Sequence, residues 1–580
     1  MMGHLIKYSE FYASNAPEKP IEILKVLPKE EVLATISAIN SRLKPMEKSY
    51  FDDSRETQVE CLRVLFLDNQ NHPSQSNCTQ FIFKYLKTPK NNNLFSRVTC
   101  LYAFQEIINH EGFAEETPEY TIANRELILK YLLIANENIL SFDKEYNEND
   151  SKTLGDNFFE YFMFKELPHN QHYATSNSIN LFYKSWRLFK SIDNDEFFGE
   201  HLRKYLNETF GLETISDFFK NQMYSYFKSY DKKLKLCYIN IKKTEKDAIK
   251  ILDKLSEKQN IPLPDKTDLR IFEFLNIKKS PLYKNAGKDG KEIITYLVLD
   301  NTLLIEKTYA LFINDFWFDY LKPKKICNRT DWGNFIGSVF FEPFIEEILE
   351  NSFINNKRTI FRTTDDLKFK INGGNEIEYA DYYIRERGNI ILAEAKSNYL
   401  PTIHGYKTVK TIDDYNALDL DKFYKDYGLT QLASKTIKLF HEYKEYINDK
   451  AFDFDRKVKL FPLLIFNDPI FSSGLASFAF KQRFEKSLKK ENIKIESDKH
   501  KIMPLTIINL SNFQDMEQCL QDGDENLFNI IRHSHSISHK KRVASEGSFV
   551  VLKNIEHSIN KLIKSKLISD RIISLSWLEN

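Results

Sequence analysis

The sequence predicts an α+β protein of several domains: a mostly helical N-terminal region and a C-terminal α/β domain with a mixed central sheet. Three observations favour this class. The chain has 580 residues, too many for a single hydrophobic core. Apolar residues recur at three- and four-residue spacing through the first part of the chain. From about Asp331, short apolar runs typical of strands alternate with helical patterns.

The first region, residues 1–260, is expected to be helical and to act as a sensor or recognition region. Its helical spacing is clearest in RELILKYLLIANENILSF, NLFYKSWRLFKSI, ISDFFKNQMYSYF and KDAIKILDKLSEKQ. Residues 261–330 are interpreted as a connecting segment. In that segment SPLYKNAGKDGKEIITYLVLD predicts a small hairpin, and LLIEKTYALFINDFWFDYL predicts a helix.

The C-terminal region, residues 331–580, is expected to run helix, strand, strand, strand, helix, strand, and to end in a helical tail. The stretch KLFPLLIFND is an unbroken apolar run, which is typical of a buried strand. FKQRFEKSLKKENIK and IEHSINKLIKSKLI have the spacing of tail helices.

Charge, cysteine spacing and the length of apolar runs limit the classes of function expected for the chain. Lys plus Arg and Asp plus Glu both number 82, so no overall basic charge indicates nucleic acid, although local patches suffice for binding. The six cysteines are scattered without a CxxC pair, which favours a reducing compartment. There is no secretory signal pattern and no apolar run of the roughly 20 residues that a membrane span needs. We therefore expect a cytoplasmic protein with no membrane partner.

Charged residues interrupt an apolar hairpin of the C-terminal region. EYADYYIRERGNIILAEAKSNYL, residues 378–400, predicts two strands joined by a tight turn, with Gly388 supplying a positive φ. In that register Asp381 lies opposite Glu394, so both side chains project from one face. Lys396 shares the face, because side chains alternate along a strand.

Two interpretations of this trio are open. In the structural one, Lys396 forms an ion pair with Glu394 or Asp381, as lysines in strands often do. In the functional one, the neighbouring carboxylates repel each other until a cation neutralises them. Mg²⁺ takes one or two carboxylates and stabilises charge on phosphoryl groups. Lys396 would then orient a water molecule or stabilise developing charge.

The order Asp, turn, Glu-x-Lys resembles the PD-(D/E)xK nuclease superfamily, which has the restriction-endonuclease-like fold. A preceding helix, GSVFFEPFIEEIL, offers Glu342, matching the glutamate that the family's preceding helix often carries. A following helix, YGLTQLASKTIKLF, offers Gln431 and Lys435 on one face, where the resemblance implies phosphate contact or support of the site. Two departures are Ala380, in place of the motif's proline, and Pro343, which starts or kinks the helix directly after Glu342.

The resemblance covers roughly residues 330–470 and implies a metal-dependent endonuclease. Asp381 and Glu394 would bind Mg²⁺, with Mn²⁺ able to substitute, and the Ala395 carbonyl would be a third ligand. Glu342, which helical spacing directs towards the core, would hold a second metal ion or a water molecule.

DNA is the expected substrate, because most of the superfamily acts on DNA. A large helical module joined to such a nuclease resembles bacterial anti-phage defence or restriction effectors. There the helical part binds a trigger or partner protein, or forms a homo-oligomer, and restrains the nuclease. Two alternatives stay open: a catalytically idle nuclease fold that binds nucleic acid, and an RNA-cutting or recombination nuclease of the same fold.

Two basic stretches near the C-terminus are weaker candidates. HSHSISHKKR, residues 533–542, is interpreted as an exposed basic loop, with zinc binding by its histidines or phosphate contact as alternatives. FKQRFEKSLKKENIK, residues 480–494, predicts a basic amphipathic helix. Its charged face is interpreted as solvated, with nucleic-acid contact as the alternative.

Overall fold

The structure is a computed structural model that divides the chain into two compact units. Unit 1 comprises Met1–Tyr146 and Tyr173–Ile326, and unit 2 comprises Asn147–His172 and Cys327–Asn580. The described residues are 4–44, 52–67, 78–116, 121–141, 154–167, 177–228, 238–259, 261–265, 268–285, 292–370, 374–400, 405–447, 449–450, 452–454, 456–544, 547–563 and 567–578. In this division most of the predicted connecting segment belongs to unit 1, and part of the predicted N-terminal region belongs to unit 2.

Unit 1 is mainly helical. Its longer helices are Lys29–Leu43, Arg55–Leu65, Thr79–Leu86, Arg97–Asn109, Ile122–Ser141, Ser178–Asp193, Phe198–Phe210, Ile215–Lys228 and Lys246–Ser256. Shorter ones are Tyr8–Tyr12, Leu275–Lys279, Asn301–Glu306 and Ala310–Asp315, the last continuing into a π-helical segment, Phe316–Leu321. Helix Lys246–Ser256 shows how the spacing acts, since its buried residues recur every three or four positions: Ala248, Ile251, Leu252 and Leu255.

Three antiparallel strands complete unit 1. Leu282–Lys284 pairs with Ile293–Val298, which confirms the predicted hairpin; the glycine-rich tip at 286–291 lies outside the described residues. Tyr238–Lys242 pairs with the other edge of Ile293–Val298. The interpretation of residues 1–260 as helical is wrong at this strand, where buried Ile239 and Ile241 alternate with exposed residues. Two short strands, His4–Leu5 and Asn92–Asn93, also pair.

A buried ion pair joins three helices of unit 1. Arg97 donates from Nε and Nη2 to the two carboxylate oxygens of Asp300, over 2.8 and 3.1 Å. Asn40 Nδ2 donates to Asp300 Oδ2 at 3.0 Å, and Asp300 Oδ1 accepts from the N–H of Leu303 at 2.8 Å as a helix N-cap. Because the Asp300 carboxylate is saturated by donors, we interpret this cluster as structural.

Unit 2 contains a mixed six-stranded sheet, as predicted for the C-terminal region. Its strands are β1 (Thr359–Thr363), β2 (Tyr382–Glu386), β3 (Asn389–Lys396), β4 (Val458–Phe466), β5 (His500–Ile502) and β6 (Thr506–Asn509). The order is β5-β4-β3-β2-β1. β6 pairs with β4 on the same side as β5 but closer to the carboxyl end of β4. β2 is antiparallel to both neighbours, whereas β3, β4, β5 and β6 run parallel. The carboxyl ends of β3 and β4 therefore meet at one edge of the sheet.

A proline lies inside the buried strand β4. Pro462 lacks an N–H, so it would leave a gap in a continuous hydrogen-bonded ladder. The neighbouring strand is interrupted there: β5 pairs with β4 up to Leu460, and β6 pairs from Leu463 onwards. The proline thus coincides with the change of partner and interrupts no continuous pairing on that side.

The hairpin of β2 and β3 has the predicted register. Ile390 pairs with Arg385, and the pairing continues to Ala393 opposite Tyr382. The turn differs from the prediction, because the positive φ, 55°, belongs to Arg387 and not to Gly388. A Cβ at Gly388 would meet only the carbonyl oxygen of Lys457, at 3.6 Å.

The helix before the sheet passes through Pro343 without ending there. Arg329–Phe335 continues into a π-helical segment, Ile336–Phe341, and then into Glu342–Phe353, with Pro343 in the first turn of the last part. A π-helical turn rearranges the backbone hydrogen bonds that a proline would disturb. The proline therefore neither starts a separate helix nor breaks this one.

The remaining helices of unit 2 are Phe158–Glu166, Ile412–Asn416, Leu420–Asp426, Ile437–Tyr443, Gly474–Lys490, Leu510–Asp522, Leu527–Ile537, Glu556–Leu562 and Asp570–Ile573. Two small hairpins are formed by Lys368–Lys370 with Glu376–Glu378 and by His539–Ala544 with Gly547–Leu552. The predicted exposed loop at 533–542 is thus wrong: its residues complete a helix and enter a strand. No helix within the described ranges has both the length and the apolar character needed to cross a bilayer.

Candidate active site

Asp381 precedes β2 directly, in continuous register with β3. Its N–H donates to the carbonyl oxygen of Ala393 at 3.1 Å, and its Oδ2 accepts from the N–H of Ala395 at 2.6 Å. These two bonds hold the aspartate beside Glu394, as the sequence predicts. Asp381 is only 8% exposed.

Glu394 and Lys396 occupy the last part of β3 and share that face. Glu394 is fully buried, whereas the Lys396 side chain keeps 20% of its exposure. Lys396 Nζ donates to Glu394 Oε2 at 3.3 Å, and the hydroxyl of Thr436 donates to Glu394 Oε1 at 3.1 Å. Each oxygen of the glutamate thus has one donor, one charged and one neutral.

A glycine on the opposing segment makes room for the lysine. Gly428 has a φ of +75°, and a Cβ there would lie 2.6 Å from Lys396 Cε and 3.6 Å from Glu394 Cβ. Any other residue at 428 would therefore displace the lysine stem. Sequence reasoning missed both Gly428 and Thr436, since only tertiary packing brings their segment onto β3.

The three groups perturb one another electrostatically. Burial and the nearby Glu394 carboxylate raise the pKa of Asp381 well above its usual range. Burial also raises the pKa of Glu394, against the opposing effect of Lys396. Burial disfavours the ammonium form of Lys396, but Glu394 and Asp381 outweigh it and raise the pKa of the lysine. One ammonium thus serves two carboxylates that both resist ionisation.

Another buried aspartate near the same hairpin provides a contrast. Asp449 accepts from Arg385 through both carboxylate oxygens, from Nη2 at 2.9 Å and from Nε, and from the Tyr383 hydroxyl at 3.0 Å. Burial alone would raise the pKa of Asp449, but these donors lower it. Asp449 is therefore a neutralised structural carboxylate, whereas Asp381 beside Glu394 is not.

Two further glutamates, Glu342 and Glu378, lie near Lys396. Burial and the charge of Glu378 raise the pKa of Glu342, which is half-buried; its carbonyl oxygen accepts from the Tyr382 hydroxyl at 3.2 Å. Glu378 also contributes to the raised pKa values of Asp381 and Glu394. Sequence reasoning did not single out Glu378, although it stands three residues before Asp381.

Glu342, which was predicted to hold a second metal ion or a water molecule, is not grouped with the other two carboxylates. Within the described ranges, the structure brings together no group of three or more His, Cys, Asp or Glu side chains placed to hold a metal ion. Glu342 therefore lies within electrostatic reach of Lys396 and Glu378 but does not complete a three-carboxylate site with Asp381 and Glu394. Glu347, on the same helix, forms an ion pair with Arg571 at 2.6 Å.

The two residues of the predicted polar pair on the following helix differ in exposure. Gln431 is half-buried and Lys435 is exposed, on a π-helical segment, Gln431–Thr436, that replaces the expected α-helix. It is Thr436, the next residue, that reaches Glu394. Ala395, expected to ligate through its carbonyl, contributes an N–H to Asp381.

The donor set suits a hard divalent cation. Two buried carboxylates that share one ammonium would be relieved of repulsion by positive charge. Mg²⁺ and Mn²⁺ favour oxygen ligands, and Mg²⁺ accepts as few as one or two carboxylates, leaving its other positions to water or phosphate oxygens. Two of the three histidines predicted as an alternative zinc site have other partners: His533 Nδ1 lies 3.0 Å from the Ser558 hydroxyl, and His535 Nε2 lies 2.8 Å from that of Thr506. The side chain of the third, His539, lies outside the described residues.

Comparison of the chain with protein-family models, with curated proteins and with solved structures gives no match.

Proposed function

We propose that unit 2 is a metal-dependent nuclease of the PD-(D/E)xK type, with a restriction-endonuclease-like sheet, that hydrolyses phosphodiester bonds in DNA. The observation that carries the proposal is the electrostatic state of Asp381 and Glu394. Both are buried, both have raised pKa values, and one lysine serves them. A structural carboxylate in this fold is neutralised by an arginine, as Asp449 is by Arg385.

Each residue has a separate role in the proposed reaction. Asp381 and Glu394 would hold a Mg²⁺ or Mn²⁺ ion, with the Ala395 carbonyl as a further ligand. A divalent cation supplies stabilisation of negative charge on the phosphoryl group. Lys396 would place its ammonium against a phosphate oxygen or orient the attacking water. Thr436 would keep the Glu394 carboxylate oriented through its hydroxyl.

The proposal is tested by cleavage of plasmid DNA and of RNA in Mg²⁺, Mn²⁺ or EDTA. We expect DNA cleavage with either cation and none in EDTA. Asp381→Asn, Glu394→Gln and Lys396→Met should each lower cleavage by about 100-fold or more, because loss of a metal's supporting groups alone costs roughly 10- to 100-fold. Glu376→Gln, which changes an exposed carboxylate on a nearby strand, should cut like wild type.

A second measurement separates metal binding from cleavage. Mg²⁺ that binds only the folded protein raises its melting temperature, and Asp381→Asn or Glu394→Gln should remove this rise. Stabilisation by metal without cleavage of DNA or RNA would favour the idle binding module. Cleavage of RNA alone would favour the RNA-cutting alternative. Cleavage that survives all three substitutions would overturn the site.

A further inference from the structure

A second polar pocket of unit 2 involves none of the candidate active-site residues. Helix Gly474–Lys490 lines one wall with residues spaced along one face: Gly474, Ser477, Phe478 and Lys481. The other walls come from the end of helix Leu527–Ile537, from the start of β6 and its preceding residue, and from residues 553–555. Of the four helix residues, only Lys481 belongs to the basic stretch 480–494, whose charged face is interpreted above as solvated.

Gly474 allows the backbone at residues 552–553 to lie against the helix. A Cβ there would lie 2.7 Å from the carbonyl oxygen of Leu552 and 3.1 Å from the N–H nitrogen of Lys553. Only a glycine lets the backbone at 552–553 come this close to the helix. That approach brings Lys553 into the lining of the same pocket as Lys481.

The charged side chains among the described residues that line the pocket are all positive. Lys481 and Lys553 line it, and no carboxylate appears among the described residues that do so. Within the described part of the chain, neither ammonium has a hydrogen bond or an ion pair, whereas Lys368, Lys396, Lys457 and Lys501 of unit 2 each have a carboxylate partner. Two lysines and no carboxylate in the lining make the pocket favourable for an anion.

Neutral donors accompany the two charges. His535 is held through Nε2 by the Thr506 hydroxyl at 2.8 Å, which leaves Nδ1 buried without a hydrogen-bond partner. The hydroxyl groups of Ser477 and Ser534 line the same pocket. A buried ring nitrogen is normally hydrogen-bonded, so Nδ1 is expected to take a polar partner, which a water molecule or a ligand oxygen can supply.

We propose that this pocket binds a phosphate group, held by Lys481 and Lys553 and oriented by the hydroxyl groups and by His535 Nδ1. A phosphate presents several acceptor oxygens to donors from different walls, and lysine is a common point-charge ligand for it. The phosphate belongs either to a small molecule, such as inorganic phosphate or a nucleotide, or to a nucleic-acid backbone. The proposal does not depend on metal binding or cleavage at Asp381 and Glu394.

The test measures the melting temperature of the full chain in inorganic phosphate against chloride at equal ionic strength. Wild type should be stabilised by phosphate, and the double substitution Lys481→Gln with Lys553→Gln should weaken the apparent affinity at least tenfold. Lys489→Gln is the matched control, because Lys489 is exposed on the same helix and does not line the pocket. Its response to phosphate should equal that of wild type.

Two further arms identify the source of the phosphate and guard against misfolding. In the wild-type chain, phosphate should slow acylation of Lys481 and Lys553 at least fivefold, as read by mass spectrometry, but not acylation of Lys489. An adenosine monophosphate titration and a DNA-duplex titration then compare the sources: a loss of affinity in the double variant for only one of them identifies that source. Equal phosphate responses in wild type and the double variant, or unprotected lysines, would overturn the proposal.

Discussion

At the scale of single residues, the position of Lys396 depends on the absence of a methyl group. Gly428 and Gly523 have nearly the same backbone, with φ values of +75° and +76°. A Cβ at Gly428 would lie 2.6 Å from Lys396 Cε, whereas a Cβ at Gly523 would meet nothing within 4 Å. The two positions share the strain of a left-handed conformation and differ in what lies beside them.

This difference gives a controlled prediction. Gly428→Ala and Gly523→Ala should each lose about 1–2 kcal/mol of stability, because both place a Cβ in left-handed backbone. Only Gly428→Ala should also displace the Lys396 ammonium, so it should lower cleavage at least about tenfold and change the rate at which Lys396 is acylated. The measurements are urea unfolding, plasmid cleavage and lysine labelling. Equal effects of the two substitutions on labelling would contradict this role of Gly428.

At the scale of elements, the β2–β3 hairpin contributes both to the structural cluster around Asp449 and to the proposed metal site at Asp381 and Glu394. Arg385 and Tyr383 of β2 anchor Asp449, and Asp381, directly before the same strand, lies beside Glu394. Removing the charge of Asp449 leaves the buried Arg385 without its partner. Removing the charge of Asp381 relieves repulsion with Glu394.

The two substitutions should therefore act in opposite ways. Asp449→Asn should lower the free energy of unfolding by about 3 kcal/mol, as breaking a buried ion pair does, and should leave cleavage intact while the protein stays folded. Asp381→Asn should abolish cleavage with little change in stability measured in EDTA. The comparison needs denaturation and cleavage on the same samples. Strong destabilisation by Asp381→Asn would make that aspartate structural, contrary to the proposal.

The sequence predicts the part of the site whose arrangement follows from the alternation of side chains along a strand. Asp381, Glu394 and Lys396 lie on one face because a two-residue period and a tight turn suffice to align them. The strand Tyr238–Lys242 was missed despite its alternation, because its helical neighbours dominate the local pattern. Thr436 was beyond prediction, since the helical register at 431–436 widens to a π-helical segment.

At the scale of the whole molecule, each unit is built from two separate stretches of the chain. Residues of Asn147–His172 belong to unit 2, where Glu160 accepts hydrogen bonds from the hydroxyl groups of Tyr415 and Tyr424, the latter at 2.7 Å. Phe164 packs edge-on against Phe423, with ring centroids 5.0 Å apart. No local pattern links residues so distant in sequence, so the sequence placed this helix in the N-terminal region.

A fragment that respects this division should fold better than one that follows the sequence boundary. Residues 147–172 joined by a glycine-serine linker to 327–580 should unfold in one cooperative transition. Residues 327–580 alone should be less stable by several kcal/mol, because two buried tyrosine hydroxyl groups lose their acceptor and the Phe423 contact is lost. Equal denaturation midpoints for the two fragments would show that helix Phe158–Glu166 contributes nothing to unit 2.

The linked fragment also tests whether unit 1 controls the proposed nuclease. Unit 1 has a core of its own and carries no catalytic pattern that the sequence analysis recognised, so we expect it to recognise a partner or nucleic acid and to restrain cleavage. Restraint predicts that the folded fragment cuts DNA at least about tenfold faster than the full chain under the same Mg²⁺ conditions. Loss of cutting by a well-folded fragment would instead assign substrate delivery to unit 1. Unchanged rate and unchanged substrate range would remove unit 1 from nuclease control, and its role would have to be sought in another interaction.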